Sequence, residues 1–143
     1  HDRYANIEVN YLLQKMEEYE GITILASNFP KNFDDAFTRR LRFVVGFPFP
    51  EEVYRQRLWK NMFPPAAPLG QDIDFDFLSR KLKITGGNIK NIALHAAFLA
   101  AANASVIGMK HIIRSTKREF QKMGRLCVKA DFEQYFDWIQ DER

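Results

Sequence analysis

The hydrophobic pattern of this 143-residue chain changes character after its first third. Two short, almost wholly apolar runs at 22–27 and 43–47 predict strands covered on both faces, as in a parallel sheet. A helical spacing over residues 9–16 precedes the first run, and Gly21 suits a left-handed helix end. A brief helix is predicted between the two runs. The order helix, strand, helix, strand predicts an α/β fold for residues 1–50.

Two prolines in the segment 47–50 end the second apolar run, and they predict that a helix starts directly after it. From residue 51 onward no strand pattern recurs, so we predict an all-helical bundle over 51–143 with a loop at 64–70. Asp74 is predicted to cap one helix, and Gly108 and Gly124 are predicted to bracket another. The predicted helices lie near 51–62, 75–82, 87–105, 109–123 and 131–140.

The composition indicates a globular protein and argues against a disulfide and a metal site. The chain is 46% hydrophobic with thirteen Phe, enough for a globular core. Its one cysteine, Cys127, excludes an internal disulfide, and the histidines have no metal-ligand spacing, so no metal site is predicted. No run approaches the ~18 apolar residues of a membrane span, and the opening is no signal peptide. We expect a cytoplasmic protein without membrane contact, and an opening without Met suggests a piece of a longer chain.

Polar groups suited to phosphate follow the first apolar run. Asn28 comes directly after it, and Arg39, Arg40 and Arg42 lie within the next fourteen residues. Ligands bind where parallel strands end, and guanidinium groups match phosphate geometry. The sequence therefore predicts a phosphate-transfer site in this segment.

This order resembles the second half of the ATPase core of the AAA+ family, with Asp34-Asp35-Ala-Phe preceding the arginines. The resemblance implies that Asn28 is the sensor 1 residue. It implies further that Arg39 and Arg42, spaced as R-x-x-R, are catalytic arginine fingers, with Arg40 as the substitute.

A second motif lies at a predicted helix start. Residues 85–92 read Thr-Gly-Gly-Asn-Ile-Lys-Asn-Ile, and the free N–H groups and dipole of such a helix end attract anions. The segment resembles the sensor 2 region of AAA+ lids, in which a G-x-x-R pattern opens the third lid helix. The resemblance implies nucleotide binding by Gly86, Gly87, Asn88 and Lys90.

Over nearly the whole chain the resemblance implies the C-terminal part of an AAA+ module. Residues 1–50 would be a remnant of the P-loop NTPase α/β sheet, and 51–143 an all-α helical lid, giving a mostly helical chain. The complete protein would hydrolyse ATP with Mg²⁺ in a homo-oligomeric ring and remodel a protein or a macromolecular complex.

The motifs that hold ATP are missing from these residues. Neither a G-x-x-x-x-G-K-[ST] loop nor an apolar strand ending in Asp-Glu occurs in the chain, so this piece alone is expected to be inactive. In the AAA+ sheet the P-loop strand lies between the two predicted strands. We therefore expect those strands to stand apart or to borrow a partner, with unpaired edges.

A basic stripe supports an alternative function. Residues 110–129 contain seven Lys and Arg and one acid, Glu119, and six of the seven cations, from Lys110 to Arg125, follow a helical spacing. Such stripes bind nucleic acid or acidic proteins, but the net charge of +3 is mild and no aromatic platform is interleaved. Nucleic acid is thus possible but not favoured. The alternative is a non-enzymatic basic helical module that binds nucleic acid or an acidic protein partner.

Overall fold

The computed structural model describes residues 11–27 and 39–140. The chain divides into two compact units, His1–Phe47 and Pro48–Arg143. The division falls three residues before the boundary that the proline-rich segment predicts. Each unit is described by itself.

In the first unit, residues 11–18 are helical, as the apolar spacing predicts, and Leu13 is the buried position of this helix. The predicted left-handed helix end at Gly21 is wrong, because this glycine has no positive φ. An exposed salt bridge joins Lys15 and Glu18 at 2.6 Å in the last turn.

The two predicted strands are not strands in this structure. Residues 22–27 and 43–47 have no strand assignment, and no backbone hydrogen bond joins the two segments within the part of the chain that the structure describes. Apolar side chains such as Ile24 and Phe47 are about nine-tenths exposed. A strand exists only through a neighbour that accepts and donates its backbone hydrogen bonds, and no described segment supplies one. The sheet remnant is therefore not seen in residues 11–27 and 39–47, the described part of this unit.

The second unit is the predicted helical bundle. We number its helices within this unit, and four of the predicted helix positions agree with the structure within three residues: α1 Glu52–Met62, α2 Phe75–Lys81, α3 Gly86–Ala102 and α4 Met109–Lys122. Among the described residues, no helix is both long enough and apolar enough to cross a membrane.

The predicted caps are present. The Asp74 carboxylate accepts a hydrogen bond from the backbone N–H of Phe77 at 2.8 Å at the start of α2. Gly124 ends α4 with φ of +66°, and the N–H groups of Gly124 and Arg125 reach the carbonyls of Gln121 and Phe120. This is the paired hydrogen bonding of a Schellman helix end, which favours glycine.

The helix predicted over 131–140 is broken. The chain forms α5 Lys129–Phe132, a 3₁₀ turn Glu133–Tyr135 and α6 Asp137–Gln140. Glu133 has φ of +46° and forms an ion pair with Lys81 of α2. The break lets Tyr135 pack edge-on against Phe77 at 4.8 Å. Tertiary contacts with α2 thus override the local helical pattern.

The core lies between α1, α2, α3 and α4, and α5 and α6 contribute Phe132 and Ile139 to it. It contains large side chains that are fully buried, including Trp59, Phe77, Ile92, Ile112, Phe120 and Phe132. The guanidinium of Arg55 is also buried and donates to the carbonyls of Ser79 at 2.8 Å and Pro50 at 2.6 Å. Arg55 thereby fixes the chain entering the bundle against α2.

A remote carboxylate caps α4. The N-cap residue is Gly108, which has no side chain, and Asp72 accepts from the N–H of Met109 at 3.0 Å in its place. A Cβ on Gly108 would lie 3.0 Å from an Asp72 oxygen, so glycine permits this close approach.

We predict that Asp72→Ala lowers the free energy of unfolding by about 1 kcal/mol, because the start of α4 loses its acceptor. Urea unfolding of the 143-residue chain measures the change. Gln71→Ala, at the exposed neighbouring position, is the control and should change stability by less than about 0.5 kcal/mol. Equal losses in the two variants would show that Asp72 is not a cap.

Candidate functional site

The start of α3 is held by a reciprocal cap. Thr85 precedes the helix in an extended conformation, and its hydroxyl oxygen accepts from the backbone N–H of Asn88 at 3.3 Å. The Asn88 carbonyl oxygen accepts in return from the N–H of Thr85 at 3.2 Å. This capping box satisfies one donor of the helix end and fixes the direction from which the chain enters.

The side chain of Asn88 is engaged inside the protein. Its amide nitrogen donates to Glu119 at 3.0 Å and contacts the sulfur of Met123 at 3.2 Å. Its backbone N–H is already bonded to Thr85. Asn88 therefore positions the helix end, and its donors are not directed at a ligand.

Two donors remain at this helix end. The backbone N–H groups of Gly86 and Gly87 have no acceptor among the described residues. The packing does not require glycine at either position: an added Cβ would meet Leu58 at 3.6 Å or Thr85 at 3.8 Å, and neither φ is positive. The missing side chains instead leave the helix terminus accessible to an anion, which the N–H groups and the helix dipole would stabilise.

Glu119 of α4 organises the surroundings of this helix end. It is only 6% exposed, and it accepts from Asn88 at 3.0 Å, from Asn91 at 3.1 Å and from Lys122 at 2.7 Å. Burial raises the pKa of Glu119, but the hydrogen bonds from Lys122, Asn88 and Asn91 outweigh it and lower this pKa below the ordinary value. This role of Glu119 was not predicted from the sequence. The one signal was a lone acid within a run of seven cations.

Lys90 lies one turn into α3 and is exposed. It shares a face of α3 with Leu94 and Ala97 and lines a groove beside that helix. The resemblance assigns four residues to nucleotide binding, and all four lie at one end of α3. Their side chains and backbone groups have two different environments. Gly86, Gly87 and Asn88 form the terminus, and Lys90 lies along the groove.

The arginine segment belongs to the first unit. Arg39 and Arg40 form an exposed turn, and Arg42 is exposed in the bend after it. Arg40 forms an ion pair with Glu17, whereas Arg39 and Arg42 have no hydrogen bond or ion pair within the described residues. The two arginines that the R-x-x-R spacing favours are thus the unengaged ones. Asn28 lies outside the described residues.

Most of the basic stripe over residues 110–129, which continues past the end of α4, is engaged within the bundle. Lys117 donates to the carbonyl of Ile139 at 2.9 Å, Lys122 binds Glu119, and Arg125 binds Asp131 at 2.8 Å. Arg118 donates to His95 at 2.8 Å. A nucleic-acid surface needs cations that are free to meet phosphates, so these contacts do not favour the nucleic-acid alternative. Among the described residues, no group of three or more His, Cys, Asp and Glu could hold a metal ion.

His95 forms a second polar connection between α3 and α4. The Ser115 hydroxyl donates to the carbonyl of His111 at 2.7 Å, so Nδ1–H of His95 donates to Ser115 at 2.9 Å. Arg118 donates to the other ring nitrogen, which requires neutral imidazole. Burial, and after it the charge of Arg118, lowers the pKa of His95 below its ordinary value.

We predict that this imidazole makes stability depend on pH. The unfolded chain takes up a proton at His95 near pH 6.5 and the folded chain only at lower pH. The contribution of His95 is therefore complete above about pH 6.5 and is lost as the pH falls. Urea unfolding between pH 5 and 8 should show a decline that is weaker in His95→Gln. An identical decline in both proteins would remove His95 as its source.

Comparison with known proteins gives one distant relationship. No protein-family model matches the chain. The chain is similar to the katanin p60 ATPase-containing subunit A1 of Strongylocentrotus purpuratus, with 27% identity over 136 aligned residues. The match covers 84% of this chain and 26% of that protein, so the chain spans about a quarter of the relative's length. The similarity connects this chain with an AAA ATPase subunit and is consistent with the family resemblance of the sequence motifs.

Proposed function

We propose that this chain is the C-terminal portion of an AAA+ ATPase that couples ATP binding and hydrolysis in an oligomeric ring to remodelling of a protein or macromolecular complex. The observation that carries the proposal is the start of α3. There, two glycine N–H groups are without described acceptors at a helix terminus that its own packing leaves accessible. The similarity to a katanin ATPase subunit supports the same assignment.

In this proposal the N–H groups of Gly86 and Gly87 bind an oxygen of the nucleotide phosphates. Glu119 and Asn88 hold the helix end in place, since a buried carboxylate with three donors fixes α3 against α4. Lys90, one turn further along α3, reports the nucleotide state to the helical unit.

Arg39 and Arg42 act on the nucleotide of a neighbouring subunit. Their guanidinium groups are exposed and without partners in the described chain, so no internal ion pair has to break before they meet phosphate. They neutralise the charge that develops on the γ-phosphate during transfer. Asn28 orients the attacking water, and ATP and Mg²⁺ are bound mainly by the preceding half of the module.

The glycine terminus gives a test that separates stability from ligand binding. Gly87→Gln in the full oligomer should leave the folded state as stable or slightly more stable, because Gln is a better helix former and the position is open. It should weaken ATP binding by about threefold to tenfold by obstructing the N–H groups.

Thermal unfolding and ATP titration measure the two effects. Ala130→Gln, at an exposed position in α5, is the matched control. Unchanged ATP affinity in Gly87→Gln would remove the α3 terminus from the nucleotide site.

The arginines are tested by turnover. Arg39→Ala and Arg42→Ala should leave ATP binding nearly intact and reduce turnover by ~10³ or more, as loss of an arginine finger does. Arg40→Ala, which loses the ion pair with Glu17, is the comparison and should retain most activity. Mixing either mutant with wild-type subunits should lower the activity of the wild-type neighbours. Turnover within a factor of two of wild type for both mutants would contradict the assignment.

A further inference from the structure

A buried negative charge lies beside the glycine terminus of α3. Glu119 is only 6% exposed, and its Oε1 atom accepts a hydrogen bond from the amide of Asn88 at 3.0 Å. Asn88 belongs to the first turn of α3, which also carries the N–H groups of Gly86 and Gly87. The Glu119 carboxylate is therefore one side chain and one hydrogen bond away from the donors that are assigned to the nucleotide phosphates.

This carboxylate acts on the same helix end that would meet a phosphate. A negative group near a helix N-terminus is stabilised by the helix dipole, as a bound anion is. It also repels a second anion that approaches the same terminus, and burial reduces the screening of that repulsion by water and salt. Without compensation, Glu119 would thus oppose the anion binding that the glycine N–H groups favour.

Lys122 supplies a compensating charge. Its ammonium group lies 2.7 Å from the Oε2 atom of Glu119, whereas Oε1 is bonded to the uncharged amides of Asn88 and Asn91. The lysine side chain is 56% exposed, so water would solvate its replacement, and the carboxylate would stay in the protein. Because both amides would still donate to it, Glu119 would remain ionised at neutral pH after loss of Lys122.

We propose that Lys122 sets the affinity of the α3 terminus for nucleotide phosphate by neutralising Glu119, without contacting the nucleotide itself. Lys122 acts through another side chain, so it is a positioning residue and not a catalytic one. This role rests on the proposed function, which supplies the phosphate. In the sequence Lys122 is only one of seven cations between residues 110 and 129, and the contact with Glu119 distinguishes it from the others.

The test measures ADP binding to the full oligomer by equilibrium titration, because ADP binds without turnover. Lys122→Met, which keeps an unbranched side chain but removes the charge, should weaken ADP binding by about fivefold. Lys122→Arg keeps the charge and should bind ADP within about twofold of wild type. Lys129→Met removes an exposed cation of α5 and is the matched control, which should also stay within about twofold.

A double variant separates charge from structure. Glu119→Gln with Lys122→Met removes both charges, and the glutamine oxygen can still accept from Asn88 and Asn91. This double variant should regain ADP affinity to within about twofold of wild type, because no uncompensated charge remains at the helix end. If Lys122 served only to hold α4 against α3, the double variant would bind ADP as weakly as Lys122→Met or more weakly.

Salt provides a second readout that a purely structural role would not change. The loss of affinity in Lys122→Met should shrink between about 0.05 M and about 0.5 M NaCl, since ions screen the repulsion. Thermal unfolding checks that each variant is folded. An unchanged affinity in Lys122→Met, no recovery in the double variant, or a loss that is independent of salt would each overturn the proposal.

This failure is distinguishable from failure of the proposed function. Gly87→Gln tests the helix terminus itself, and Lys122→Met tests only the charge beside it. Weaker nucleotide binding in Gly87→Gln together with unchanged binding in Lys122→Met would overturn the role of Lys122 and leave the proposed function in place.

Discussion

The buried carboxylate of Glu119 is the interaction on which the arrangement of the second unit depends. A charge that leaves water is costly unless it is paired and hydrogen-bonded, and Glu119 meets that requirement with Asn88, Asn91 and Lys122. Two of these donors belong to the start of α3, so the same interaction that satisfies the charge also fixes the helix end. His95 and Arg118 connect the same two helices further along.

Because of these polar contacts, each face of α3 has a different environment. One face carries Asn88, Asn91 and His95 to α4, and a second buries residues such as Ile92 in the core. A third face carries Lys90 along the groove. The free terminus and the groove are therefore neighbouring features of one rigid helix, each left accessible because the other faces supply the stability of the bundle.

The exposed apolar residues of the first unit have a consistent explanation in the proposed function. The runs at 22–27 and 43–47 have the composition of doubly covered strands, yet their side chains are mostly exposed and their backbones are not paired with a described segment. In a complete AAA+ sheet the preceding half of the module would supply the missing strands. The composition of these runs is that of covered strands, and the residues that the structure describes do not cover them.

The sequence by itself determined four helices of the bundle and the caps at Asp74 and Gly124, because apolar spacing and these two residues act within a few positions. It also determined that Gly86, Gly87, Asn88 and Lys90 would share one helix end, since they are adjacent in the chain. Only the tertiary structure decided that Asn88 turns to Glu119, thirty-one residues away, and that Arg40 is engaged while Arg39 and Arg42 are not. It also decided the break at Glu133 and the failure of the apolar runs to become strands. These outcomes depend on partners remote in sequence, or on partners that the described chain lacks, and local pattern contains no information about either.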